Sequence, residues 1–171
     1  RCHDAKDTCK FTADSNIIAF ITAALGITMN VNTLVQDFFN VHDEDLISFD
    51  ISPCKRYCAT GQMPAKGKSR NIDCYVWDTV TKAPLVKLSG QHRGGIRHVK
   101  FSPNSNLLLT VGMDDDNSFV VYDWQNKKIL CQSKVDKSFV FDCDWQDDAA
   151  FCTITKDAIR SEERRVGKEC L

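Results

Sequence analysis

The sequence predicts an all-β fold of about three to four four-stranded antiparallel units that do not close on themselves. Three observations carry this expectation. Apolar residues recur with the two-residue period of strands, Gly and Ser-Pro turns interrupt them at short intervals, and whole blocks return at an offset of fifty residues. Residues 41–53 (VHDEDLISFDISP) align with residues 91–103 (QHRGGIRHVKFSP), each a turn with a histidine, an alternating strand and a Ser-Pro corner.

The elements follow in chain order. Residues 17–22, 26–30 and 34–39 read as three strands of a unit whose first strand is missing or remote. In the next copy a strand ends at Ser52-Pro53, a second runs over 57–60 to a turn at Gly61, a third ends in Trp77-Asp78, and a fourth covers 85–88. The following copy repeats the pattern: a strand to Ser102-Pro103, 107–111 before Gly112, a third ending in Tyr122-Asp123, and 129–132. A last copy begins at 139–145 and continues through 151–155. Four short strands per unit at this period is the pattern of a β-propeller blade, and closed propellers use about four to eight blades.

These repeats resemble the WD40 family. The blades are expected at approximately 11–40, 41–90, 91–134 and, incomplete, 135–159. In that family a buried His, Ser/Thr, Asp and Trp commonly link the strands of a blade. The resemblance implies such a set at His92, Thr110, Asp116 and Tyr122, and a partial one at His42, Thr60 and Trp77 whose aspartate is displaced by an insertion at 63–71. The role expected is structural, because a buried imidazole needs a partner for each nitrogen.

Other chemistry finds little support. His92 with Asp116 as an acid-base pair lacks an activated nucleophile. Gly90, Gly94 and Gly95 lead into a strand rather than a helix, so they read as turn residues and not as a phosphate loop. Cys2, His3, Asp4, Asp7 and Cys9 lack a second half-site at zinc spacing. Asp114, Asp115 and Asp116 read as a solvated turn rather than a calcium loop. No catalytic, cofactor or metal site is expected. A formal net charge of -1 argues against nucleic acid or an anionic membrane as the main partner. The cysteines stand singly in apolar strands without a CxxC pair, and read as reduced residues of a cytosolic protein. Lys66, Lys68 and Arg70 place three cations in one long loop, a candidate contact for an acidic partner.

Longer phrases sharpen the resemblance. Asp43 to Leu46 with 59–62 (ATGQ), 76–81 (VWDTVT) and 121–125 (VYDWQ) look like the opening blades of echinoderm microtubule-associated protein-like proteins. Residues 1–10 resemble the end of that family's HELP segment; Cys54, Tyr122 and the Arg1-Cys2 pair depart from its usual residues. The resemblance implies a non-enzymatic cytoplasmic scaffold that binds tubulin or microtubules. Rival expectations are a WD40 scaffold of another cytosolic or ciliary complex and, remotely, a propeller-domain enzyme. Residues 160–170 (RSEERRVGKEC) resemble the in-frame translation of a short-read sequencing adapter. The chain is therefore expected to be a fragment ending in a non-native, disordered tail at 160–171.

Overall fold

Strands of three to seven residues, separated by tight turns, account for the regular structure of the chain. The computed structural model describes residues 7–64, 72–135 and 137–163. The first sheet contains β1 (Cys9–Phe11), β2 (Ile17–Thr22), β3 (Leu25–Asn30) and β4 (Gln36–Phe39). The second contains β5 (Leu46–Ile51), β6 (Tyr57–Gln62), β7 (Asp73–Asp78) and β8 (Pro84–Ser89). The third contains β9 (Ile96–Phe101), β10 (Leu107–Gly112), β11 (Ser118–Asp123) and β12 (Lys128–Lys134). The fourth contains β13 (Val140–Trp145), β14 (Ala150–Thr155) and β15 (Ile159–Glu163). Within every sheet spatial order equals chain order, and all pairs are antiparallel. The architecture is a series of four antiparallel sheets, none of them closed, consistent with a fragment of a β-propeller.

Three features differ from the sequence reading. The first sheet has its innermost strand after all, because β1 pairs Cys9 with Phe20 and Phe11 with Ile18. A three-residue strand is too short to show a period, and a boundary placed at residue 10 cuts through it. Residues 160–163 are not a disordered tail, since β15 pairs with β14 from Ile154↔Ile159 to Ala150↔Glu163. An edge strand is held by backbone hydrogen bonds and needs no apolar pattern. Gly61 and Gly112 lie inside β6 and β10 rather than in turns. A Cβ on Gly61 would stand 2.7 Å from Ile96 of the next sheet, and one on Gly112 2.4 Å from the His92 ring. Both glycines allow close approach.

The Ser-Pro corner has a local cause. The Ser52 hydroxyl oxygen accepts the Tyr57 N–H at 3.0 Å, and Ser102 does the same for Leu107 at 3.0 Å. Each corner then turns through a left-handed residue, Lys55 (φ 62) or Ser105 (φ 65).

The core lies between sheets. Phe39 and Ala19 of the first sheet meet Phe49, Ile51, Cys58, Tyr75 and Trp77 of the second. Val76, Val86 and Leu88 of the second meet Val99, Phe101, Leu108 and Tyr122 of the third. Leu109, Val111, Phe119 and Val121 of the third meet Val140, Cys143 and Phe151 of the fourth. Strands β5, β7 and β10 are buried along their whole length, and β6 from Cys58 onward, because both faces are covered. Their weak alternation has that origin. Cys9, Cys54, Cys58, Cys74, Cys143 and Cys152 are free thiols. Cys131, by contrast, is disulfide-bonded, against the expectation that all the cysteines are reduced.

Candidate functional site

The polar groups buried inside the sheets gather around two histidines. His92 precedes β9 and is 3 % exposed. Its Nε2 lies 2.8 Å from Thr110 Oγ1 on β10, and its Nδ1 lies 3.0 Å from Ser118 Oγ on β11. Ser118 in turn donates to the Asp114 carboxylate, and the Tyr122 phenol is hydrogen bonded to Thr110. A carboxylate only accepts, so the Ser118 proton is committed to Asp114, and Nδ1–H must donate to Ser118. Nε2 is then the acceptor for the Thr110 hydroxyl. The chain of donors runs from Thr110 through His92 and Ser118 to Asp114.

His42 repeats the arrangement with other residues. Its Nε2 stands 2.8 Å from Thr60 Oγ1 and its Nδ1 2.7 Å from Gln62 Oε1. The Gln62 amide nitrogen donates to Asp43 Oδ1 at 2.9 Å, which fixes the amide orientation and makes His42 Nδ1 a donor. Burial lowers the pKa of both rings, that of His92 to about 4. Both are neutral imidazoles near pH 7.

The structure thus brings together His42 and Thr60, and separately His92, Thr110 and Tyr122. It does not bring Asp116 to His92. Asp116 lies at the surface and pairs with Lys134, while Asp114, two residues earlier, takes the inward place. Sequence spacing cannot tell which of three adjacent carboxylates the turn aims inward. Trp77 also stands outside its network: its indole nitrogen is buried without a hydrogen-bond partner among the described residues, and its ring stacks on Phe39 at 4.9 Å and 7°. Gln62 and Ser118 were missed. The signal for Gln62 is its register, one residue past the Gly that follows Thr60. Thr153 holds the matching place in β14, buried and with no hydrogen-bond partner among the described residues. Lys66, Lys68 and Arg70 lie outside the described residues.

Bonds between sheets also repeat. Ser48 Oγ donates to Ile96 O at 2.6 Å, and His98 Nε2–H donates to Val140 O at 3.2 Å. Residues 48 and 98 are third in their strands, and the carbonyls belong to the first residue of the next sheet's inner strand. Along the inner rim, pairing registers make Lys10, Asp50, Lys100 and Asp144 equivalent, an alternation of charge from sheet to sheet. Asp50 Oδ1 accepts Lys10 Nζ at 2.6 Å. Burial opposes the charge of Lys100, yet Asp50, Asp142 and Asp144 hold its pKa above the usual lysine value.

Comparison with known proteins extends these findings. The family described as "WD domain, G-beta repeat" matches residues 83–123, which run from the last strand of the second sheet through three strands of the third. The chain is 34 % identical over 103 residues to cilia- and flagella-associated protein 52 of Macaca fascicularis, covering 60 % of this chain and 18 % of that protein. It is 27 % identical over 104 residues to the protein of the same name in Chlamydomonas reinhardtii, covering 61 % of this chain and 16 % of the relative. It is 23 % identical over 163 residues to a ciliary WD repeat-containing protein of Euplotoides octocarinatus, covering 85 % of this chain and 22 % of the relative. The match spans less than a quarter of the length of these relatives.

Proposed function

Because the chain is a WD40 repeat protein homologous to ciliary WD repeat proteins, we propose that it is a non-enzymatic scaffold within a ciliary or flagellar assembly. The observation that carries this reading is the match over 103 residues to a cilia- and flagella-associated protein. The interior agrees with a scaffolding role. Both nitrogens of His42 and His92 are spent on hydrogen bonds within a sheet, so these imidazoles hold strands together instead of moving protons to a substrate. The turns that join the strands lie at the two ends of each sheet, and under this reading partner proteins bind there.

The finer reading is that the partners include tubulin or microtubules. It is supported by the resemblance of the repeat phrases to echinoderm microtubule-associated protein-like proteins and by the three cations Lys66, Lys68 and Arg70. Under this reading the loop meets acidic tubulin tails. A scaffold of another ciliary complex, without direct tubulin contact, is the second reading, favoured by relatives whose names specify the organelle and not the polymer.

Two experiments separate these readings. A tagged full-length protein carrying this segment is expected along the axoneme of ciliated cells; uniform cytosolic signal and absence from isolated axonemes would overturn the proposal. Co-sedimentation with purified microtubules is expected to weaken severalfold, with a shallower salt dependence, when Lys66, Lys68 and Arg70 are all replaced by Gln. Axonemal localisation with no such change leaves the second reading standing.

A further inference from the structure

We propose that Arg93 is a methylation site, at which a protein arginine methyltransferase places one or two methyl groups on the guanidinium from a sulfonium donor of the S-adenosylmethionine type. Arg93 is the one arginine of the chain followed directly by glycine, and Gly94 is followed by Gly95. The turn that carries it joins β8 to β9, between the second and third sheets, and each of these packs against a sheet on either side. Its exposure therefore owes nothing to where the chain begins or ends. Four arginines lie among the described residues, and three are engaged. Arg56 donates to Asp78 at 3.1 Å, the Arg97 guanidinium lies 3.8 Å from the centre of the Phe139 ring, and Arg160 donates to Val135 O at 2.6 Å. Arg93 is exposed and makes no hydrogen bond, ion pair or ring contact among the described residues.

The turn is pinned on both sides of this side chain. Before it, His92 is bonded to Thr110 and Ser118; after it, Gly95 O accepts the Met113 N–H at 2.9 Å. In the second sheet the residue after the equivalent His42 is Asp43, which is used, since it accepts the Gln62 amide. Arg93 stands in that place without such a task. Packing accounts for the two glycines, because a Cβ on Gly94 would stand 2.4 Å from Met113 O and Gly95 has φ 110, but it does not account for Arg93. Arg93 thus projects from a held turn whose next two residues carry no side chain, and a transferase surface can approach that backbone closely. In the transfer a base of the enzyme takes a guanidinium N–H proton, the nitrogen lone pair attacks the methyl carbon, and the carbon–sulfur bond breaks with its electron pair left on sulfur as a thioether. The product keeps its positive charge and loses N–H donors. A bidentate grip on a partner's carboxylate is thereby weakened with no change of net charge.

The full 171-residue chain, incubated with S-adenosylmethionine and a purified methyltransferase that acts on glycine-flanked arginines, tests this by mass spectrometry of its proteolytic peptides. Methyl groups are expected on Arg93 of the folded chain, with Arg56, Arg97 and Arg160 unmodified. Incorporation from donor with a tritiated methyl group is expected to be lost in Arg93→Lys, which keeps the charge, while the circular dichroism spectrum and thermal melt match the parent. That match separates a lost site from a lost fold. A synthetic peptide of residues 88–98 is expected to be methylated as well. Methylation of the peptide but not of the folded chain would mean that the turn withholds Arg93; no methylation of either, or methyl groups spread over the other arginines, would mean that the sequence does not select it. Each of these results would overturn the inference.

Discussion

The Asp50 carboxylate accepts the backbone N–H of Phe101 across the seam between the second and third sheets, Oδ2 to N 2.8 Å. Its other oxygen holds Lys10 of the first sheet at 2.6 Å. One side chain therefore ties three sheets together. Asp50→Ala leaves a backbone N–H and a lysine without their acceptor, at a cost of about 2–4 kcal/mol. Urea unfolding should show the midpoint fall with little change in slope; a cost below about 0.5 kcal/mol would mean that apolar packing alone holds the seam.

Asp114 and Asp116 are expected to behave differently although they are two residues apart. Asp114→Ala removes the terminal acceptor of the His92 chain and should cost about 1–3 kcal/mol. Asp116→Ala breaks only a surface pair with Lys134 and should stay within about 0.5 kcal/mol of the parent. Equal losses in thermal melts would put the carboxylates in the wrong order.

Gly112→Ala drives a methyl group against the His92 ring, where a Cβ would be 2.4 Å from Nδ1. Overpacking of this kind costs about 1–3 kcal/mol, and here it also displaces a hydrogen-bonded imidazole. The imidazole resonances of His92 should move in an NMR spectrum of the variant. An unmoved ring and an unchanged melt would contradict the contact.

Lys55 adopts φ 62 at the Ser-Pro corner with its side chain exposed. Glycine takes this conformation without the Cβ penalty of about 1–2 kcal/mol, offset in part by its greater freedom in the unfolded chain. Lys55→Gly should be neutral to stabilising by up to about 1 kcal/mol, whereas Lys55→Val should destabilise. Chemical denaturation of the pair of variants distinguishes them by sign.

Acid should weaken the fold through its histidines. Burial lowers the folded-state pKa of His42, His92 and His98 below the ordinary value of 6.5, with His92 at about 4. The unfolded chain binds protons more readily, so stability is complete above about pH 6.5 and declines as pH falls toward about 4. The shift of His92 alone corresponds to a loss on the order of 3 kcal/mol by the lower limit. Melting temperatures measured across that window should fall with acid, and less steeply in His92→Gln; a flat profile would require charged imidazoles in the folded sheets.

Much of this architecture was visible in the residues. Ser52-Pro53 and Ser102-Pro103 announced the corners because a serine hydroxyl must accept a particular N–H there, and strands β5 to β12 followed from them. The histidine pairs with Thr60 and Thr110 were legible only through the resemblance to WD40 repeats, in which such residues link the strands of a blade. What escaped detection depends on direction rather than composition. Asp114 is chosen over Asp116 by the turn, Gln62 substitutes for an acid by donating onward to Asp43, and β15 is held by backbone groups that every residue carries. The purpose of Gly61 lies in Ile96, a residue of the next sheet.

Each sheet is completed by strands adjacent in the chain, and this has a consequence during protein synthesis. A ribosome adds about 5–20 residues per second, so one sheet emerges over a few seconds, while a hairpin closes in roughly 1–10 μs. Every blade can form before the next has left the exit tunnel, and its trailing face then waits, uncovered, for seconds. During that interval the nascent chain is a surface for chaperones, and the seam residues Asp50 and His98 are the last groups in their blades to find their partners.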